Sequence, residues 1–76
     1  MKAICNKREI IYRLENKSTK WLCDEINKRG IEISSGALYH LLNNRANWLL
    51  SYAMIISEIL ACDLKDIFLW ENDKDM

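Results

Sequence analysis

The side chains best suited to chemistry in this chain are one histidine, His40, and three cysteines, Cys5, Cys23 and Cys62. A catalytic histidine needs a nucleophile or a carboxylate at a defined place, and no such partner is evident in the sequence. The cysteines are odd in number and no two are spaced as C-x-x-C, which disfavours both a disulfide framework and a zinc site. We therefore expect no enzyme activity, no metal and no other cofactor, and we interpret Cys23 and Cys62 as reduced, buried thiols.

The most informative polar stretch is "SSGALYHLLNNRAN", from Ser34 to Asn47. It predicts a short helix that begins after a serine N-cap and ends at an asparagine pair. Serine caps helices in any bundle, so the pattern has a purely structural interpretation. Small polar residues at a helix start are also what a helix needs in order to approach base edges in the major groove of DNA. The sequence alone leaves both interpretations open.

The elements around this stretch are predicted to be helical. The chain has 76 residues, of which half are apolar and 29% are charged, with two glycines and no proline, as expected of one small helical domain. Apolar spacing and capping signals predict helices over about 2–16, 19–29, 34–43 and 47–61, and a short one over 64–70 that Asp63 caps. An alternative first helix is shorter, capped by Asn6 and starting at Lys7.

The fourth predicted helix is apolar on two faces. We assign Leu50, Ala53, Met54, Ser57 and Leu60 to the core. The second face and the fifth helix would then form a dimer or partner interface made of Trp48, Leu49, Tyr52, Ile55, Ile59, Phe68, Leu69 and Trp70. A second copy of this chain is the favoured occupant, because burying several large apolar side chains stabilises association by about 1.5–3 kcal/mol each. Two alternatives to a self-dimer remain: the surface binds a different protein, such as another repressor, or it is buried within the monomer.

An ordered series of short motifs connects these helices to a known family. The series is Ser18 with Leu22-Cys23 and Ile26, then Ile33-Ser34 with Leu38, then Asn43-Asn44-Arg45, and finally Leu64, Ile67 and Phe68. In this order and spacing the chain resembles the Cro and phage-repressor (XRE-like) helix-turn-helix family. The apolar spacing predicts an all-α, compact four- to five-helix bundle over residues 1–70, followed by a polar tail over residues 71–76. The resemblance implies that this bundle is a lambda-repressor-like helix-turn-helix DNA-binding domain with a lengthened turn. The connection "NKRGIE" is longer than the tight turn of the family, and Trp48 stands where the family usually has proline.

The resemblance also implies roles for individual residues. Base contacts fall on Ser35, Gly36 and Tyr39 of the third helix. Contacts to the DNA backbone fall on Ser18, Thr19, Ser34, Asn43, Asn44 and Arg45. Charge alone adds Lys20, Lys28 and Arg29 to the backbone contacts.

The expected function is that of a cytoplasmic, sequence-specific transcriptional regulator, encoded by a phage or mobile element. It would occupy a double-stranded DNA operator as a homodimer, with no membrane segment and no small-molecule ligand. The formal net charge is zero, whereas DNA-binding domains are usually basic, so non-specific binding should be weak. A protein–protein modulator that binds a repressor without contacting DNA is the alternative.

Overall fold

The structure is a computed structural model that describes residues 2–71, with side chains for residues 3–69. Five helices and two strands follow one another along the chain. The strands are β1 (Lys2–Cys5) and β2 (Phe68–Glu71), and the helices are α1 (Lys7–Leu14), α2 (Thr19–Lys28), α3 (Ser35–Leu42), α4 (Leu50–Ile59) and α5 (Leu64–Ile67). The fold is therefore mostly α-helical, and the expectation of an all-α domain is wrong at its two ends.

The two chain ends form a small antiparallel sheet. Cys5 lies opposite Phe68, and the register continues to Lys2 opposite Glu71. The predicted first helix therefore begins only at Lys7, in its shorter alternative. The predicted fifth helix ends at Ile67, because the chain continues as β2. Of the predicted polar tail, Glu71 ends β2 and residues 72–76 lie outside the described part of the chain.

Short polar side chains start the first three helices. The side-chain oxygen of Asn6 accepts a hydrogen bond from the Glu9 amide at 3.2 Å. The hydroxyls of Ser18 and Ser34 do the same at 3.1 Å for amides in the first turns of α2 and α3. Each such bond satisfies an amide that has no partner within its helix, which stabilises the helix by about 1 kcal/mol.

Left-handed backbone conformations end two of the helices as predicted. Gly30 follows α2 with a φ of +98°, and Asn44 follows α3 with a φ of 58°. Glycine adopts this conformation without steric cost, and asparagine tolerates it better than most residues.

The hydrophobic core lies where the five helices meet. Its largest fully buried members are Ile10, Leu14, Leu22, Ile26, Leu38, Leu42, Ile56 and Ile67. On α4 the core face contains Ala53, Ile56 and Ser57. Leu50 and Met54, which we assigned to the core, are instead 67% and 54% exposed. The core assignment is therefore confirmed for Ala53 and Ser57 and wrong for Leu50 and Met54, because α4 is apolar on both faces and only packing decides between them.

No described helix is a candidate membrane span. Two helices, α2 and α4, have 10 residues each, about half of what crossing a bilayer requires. Across residues 2–71, no helix combines enough length with enough apolar character to cross a membrane.

Candidate nucleic-acid interface

An open groove of about 700 Å³ runs between α1, α2 and α3. It brings together five residues that were predicted to contact DNA, and it adds Lys7, which was not predicted. Its polar lining includes Ser34, Ser35 and Tyr39 of α3, Thr19 and Lys20 of α2, and Lys7 of α1. This groove is the best candidate for a nucleic-acid interface on the described surface.

The start of α3 presents small groups to solvent beside this groove. Ser35 and Gly36 are exposed, and Tyr39 is 56% exposed. Apart from the two neighbouring residues and the α3 backbone, no atom lies within 4 Å of the position that a Cβ on Gly36 would take. The opposite face of α3 is anchored in the core by Leu38, which is 1% exposed. The helix is thus held from one side and leaves its other side open.

The position of α3 is fixed by contacts from α2 to the residue before the cap. The Ile33 amide donates to the side-chain oxygen of Asn27 at 2.9 Å. The Cys23 thiol donates to the Ile33 carbonyl at 3.4 Å, and the Asn27 amide group donates to the Cys23 sulfur at 3.7 Å. These bonds order the longer connection between α2 and α3. Asn27 was not predicted to have this role, because its only local signal is its place near the end of α2.

A similar contact holds the segment that follows α3. The Cys5 amide donates to the Asn44 side-chain oxygen at 2.9 Å, and the Asn44 amide group donates back to the Cys5 carbonyl at 3.2 Å. The indole N–H of Trp48 also donates to Asn44, at 3.3 Å. We predicted a DNA-backbone contact for Asn44, but its side chain is engaged within the protein. Its role in the structure is to hold β1 against the end of α3.

Lys7 is a functional candidate that the sequence analysis did not identify. Its Nζ donates to the side-chain oxygen of Asn43 at 3.0 Å and lies 5.6 Å from the centre of the Tyr39 ring. The Asn43 amide group in turn donates to the Tyr39 carbonyl at 2.9 Å. Lys7 and Asn43 are 36 residues apart, so no local sequence pattern could reveal this cluster.

Two predicted backbone-contact residues lie away from the groove. Lys28 ends α2 and Arg29 follows it, whereas Thr19 and Lys20 begin the helix. Lys28 forms an ion pair with Glu25 at 3.1 Å, and Arg29 forms one with Glu58 at 3.6 Å. Lys28 and Arg29 therefore lie apart from the predicted DNA-contact residues that line the groove.

The remaining predicted backbone contacts are dispersed. Ser18 is the N-cap of α2 and does not line the groove. Asn43 is the C-cap of α3, and its place in the Lys7 cluster keeps it near the groove. Arg45 is exposed and lines a separate, shallow depression with His40 and Leu49.

A second, mostly apolar groove of about 670 Å³ lies between β1, β2 and the start of α4. Leu49 and Leu50, 55% and 67% exposed, line it together with Phe68. Leu69 is also exposed, on β2. Five predicted interface residues, including Phe68, are partly buried against the core: Trp48, Tyr52, Ile55, Ile59 and Phe68. The side chain of Trp70 lies outside the described part.

Two of the thiols, Cys5 and Cys62, are poorly suited to nucleophilic chemistry at neutral pH. Burial raises the pKa of the Cys5 thiol to about 11, and burial also raises the pKa of Cys62. A thiol, unlike a thiolate, is a weak nucleophile and metal ligand. Among the side chains of residues 3–69, moreover, no three from His, Cys, Asp or Glu lie close enough to share a metal ion.

The electrostatics of the α1–α2–α3 groove are mildly positive. Lys7 and Lys20 line it together with Asp24, and Lys20 and Asp24 form an exposed pair at 3.6 Å. An exposed pair of this kind contributes little energy and leaves Lys20 available to another anion.

Comparisons with known protein families, curated proteins and solved structures found no match to this chain.

Proposed function

We propose that this chain is a sequence-specific DNA-binding regulator of transcription that inserts α3 into the major groove. The observation that carries the proposal is the open start of α3, where Ser35, Gly36 and Tyr39 are exposed beside a groove that α2 also lines. The major groove admits one helix, and the residues near the helix start make the base contacts.

The side chains at this end of α3 suit contact with base edges. The Ser35 hydroxyl can donate and accept, and so can the phenol of Tyr39. Gly36 carries no side chain, so the α3 backbone can approach the duplex closely. Thr19 and Lys20 would contact phosphates, which fix the position of the protein on DNA without providing sequence information.

The proposal includes a homodimer on a two-fold symmetric operator. Two copies of α3 would occupy successive major grooves about one helical turn apart. The apolar groove with Leu49 and Leu50 is the described surface that best supports self-association, because large exposed apolar patches are typical of interfaces. The series of motifs that resembles the Cro and phage-repressor family supports the same arrangement.

Selection from random duplex DNA tests the proposal. We expect enrichment of a two-fold symmetric site, and loss of that enrichment in Ser35→Ala and Tyr39→Ala variants. Ser51→Ala and Tyr12→Ala are matched controls, because both residues are exposed and neither lines the α1–α2–α3 groove. Enrichment that survives both groove substitutions, or its absence at low salt, would contradict the proposal.

A protein–protein modulator is the second candidate function. A net charge of zero and the exposed Leu49 and Leu50 favour it. In that case the apolar groove would bind a repressor, and α3 would make no base contact. The expected result is then no DNA enrichment at low salt, together with a tight complex with a purified repressor that Leu50→Glu abolishes.

A further inference from the structure

The Lys7 side chain occupies a place in the α1–α2–α3 groove that its contacts within the protein only partly explain. Its ammonium group donates one hydrogen bond, to Asn43 at 3.0 Å. An ammonium group has three donors, and Lys7 is an exposed residue. Among the side chains of residues 3–69, no carboxylate lies within ion-pair distance of Lys7. The charge of Lys7 therefore stays available to an anion that enters the groove.

The contacts of Lys7 also connect it to the proposed base-contacting residue Tyr39. The ammonium lies 5.6 Å from the centre of the Tyr39 ring, within the range of a cation–π interaction. Asn43 joins the two residues, because it accepts from Lys7 and donates to the Tyr39 carbonyl. An anion bound by Lys7 would thus lie directly beside a side chain exposed at the open face of α3.

We propose that Lys7 binds a backbone phosphate of the duplex contacted by α3, and that it positions the Tyr39 ring for its base contact. This inference rests on the proposed DNA-binding function. It adds a contact from α1, a helix to which the sequence analysis gave no role in binding. Lys7 and Lys20 would then provide phosphate contacts from two different helices in one groove.

The test is the salt dependence of DNA affinity in a Lys7→Gln variant. Each neutralised phosphate contributes roughly −0.9 to the slope of log affinity against log salt concentration. Losing one contact should therefore make the slope shallower by about 0.9. Between 50 and 200 mM salt, the affinity advantage of the unmodified protein should shrink by about 3.5-fold. Arg8→Gln removes the same charge from the neighbouring exposed position, which does not line the groove, and should leave the slope nearly unchanged.

Further variants separate binding from a purely structural role of Lys7. Lys7→Arg keeps the charge and should restore the slope, although the cation differs in shape. If Lys7 serves only to support the end of α3, Lys7→Gln will lower the melting temperature without changing the salt slope. That result, or equal slopes for Lys7→Gln and Arg8→Gln, would overturn the inference while leaving DNA binding intact. Failure of the unmodified protein to bind any selected duplex would instead refute the proposed function itself.

Discussion

Replacing Asn44 by alanine should destabilise the fold more than any other substitution of a polar residue at the ends of α3. The Asn44 side chain accepts from the Cys5 amide at 2.9 Å and from the Trp48 indole at 3.3 Å, and donates to the Cys5 carbonyl at 3.2 Å. Cys5 is only 6% exposed, so water cannot readily replace the lost partners. Asn44 also has a φ of 58°, a conformation that alanine adopts at a cost.

The magnitude follows from these two effects. Leaving a buried backbone donor or acceptor without a partner costs about 1–3 kcal/mol. The left-handed conformation costs an alanine about a further 1–2 kcal/mol. Because two backbone groups of Cys5 lose their partner while Asn44 itself is only partly buried, we expect the free energy of unfolding to fall by about 3–5 kcal/mol. A small domain has a total stability of roughly 5–15 kcal/mol, so this loss should be large enough to populate unfolded chains.

Asn44→Gly separates the two contributions. It removes the same hydrogen bonds, but glycine adopts the left-handed conformation freely. Asn44→Gly should therefore destabilise the protein by about 1 kcal/mol less than Asn44→Ala. Asn43→Ala is the control, because the side-chain contacts of Asn43 are exposed, and should cost less than about 1 kcal/mol.

Urea unfolding followed by circular dichroism gives the free energies, and hydrogen exchange reports on the Cys5 amide directly. In the unmodified protein this amide should be protected, and in Asn44→Ala it should exchange quickly. Equal stabilities of the Asn44→Ala and Asn43→Ala variants, with the Cys5 amide still protected, would refute the structural role assigned to Asn44.

Three further predictions concern the α3 surface, a buried thiol and the apolar groove. Gly36→Ala should raise the free energy of unfolding by about 0.5–1 kcal/mol, because alanine is the better helix former and no atom beyond the neighbouring residues and the α3 backbone lies within 4 Å of the new methyl group. The same substitution should weaken binding to a selected duplex. Equal affinity would show that the DNA does not approach α3 closely at Gly36. The pKa of the Cys5 thiol is raised from its ordinary value of 9.0 to about 11, so the folded state keeps a proton that the unfolded chain loses. The stability that this group contributes should be complete below pH 9 and disappear as the pH rises to 11, a loss of up to about 2–3 kcal/mol. Unfolding titrations at several pH values measure this loss. The free energy of unfolding should decline more steeply between pH 9 and 11 in the unmodified protein than in Cys5→Ala. Leu50→Glu should shift sedimentation from dimer to monomer, whereas Tyr12→Glu, at another exposed position, should not.

The sequence predicted those parts of the fold that depend on neighbouring residues. Ser18 and Ser34 cap their helices as the pattern indicates, and Gly30 and Asn44 adopt the left-handed conformation that follows α2 and α3. Asp63 precedes α5, and its amide donates to the Asp66 carboxylate at 3.0 Å. In each case the deciding interaction spans three residues or fewer, so local chemistry is sufficient.

The sequence could not predict the parts that depend on distant residues. β1 has an apolar spacing compatible with a helix, and only its pairing with β2 at the other end of the chain makes it a strand. The core face of α4 was predicted only in part for a related reason, because Ile56 and Met54 are similarly apolar and only the surrounding helices select Ile56 for the core. Asn27 and Lys7 acquire their roles through contacts that no pattern within a helix indicates.

The contacts of Asn27 and Asn44 together explain why exposed residues of α3 can be substituted without unfolding the helix. Asn27 fixes Ile33 before the helix, and Asn44 fixes Cys5 after it. Buried leucines such as Leu38 hold the inner face of α3. The stability of the helix therefore depends little on its outer side chains, and exposed substitutions that do not replace a glycine usually change stability by less than about 0.5 kcal/mol. Loss of DNA binding in Ser35→Ala would consequently report on contact with the duplex and not on unfolding. By the same reasoning, Asn27→Ala should disturb binding indirectly, by releasing the start of α3 while every proposed contact residue is still present.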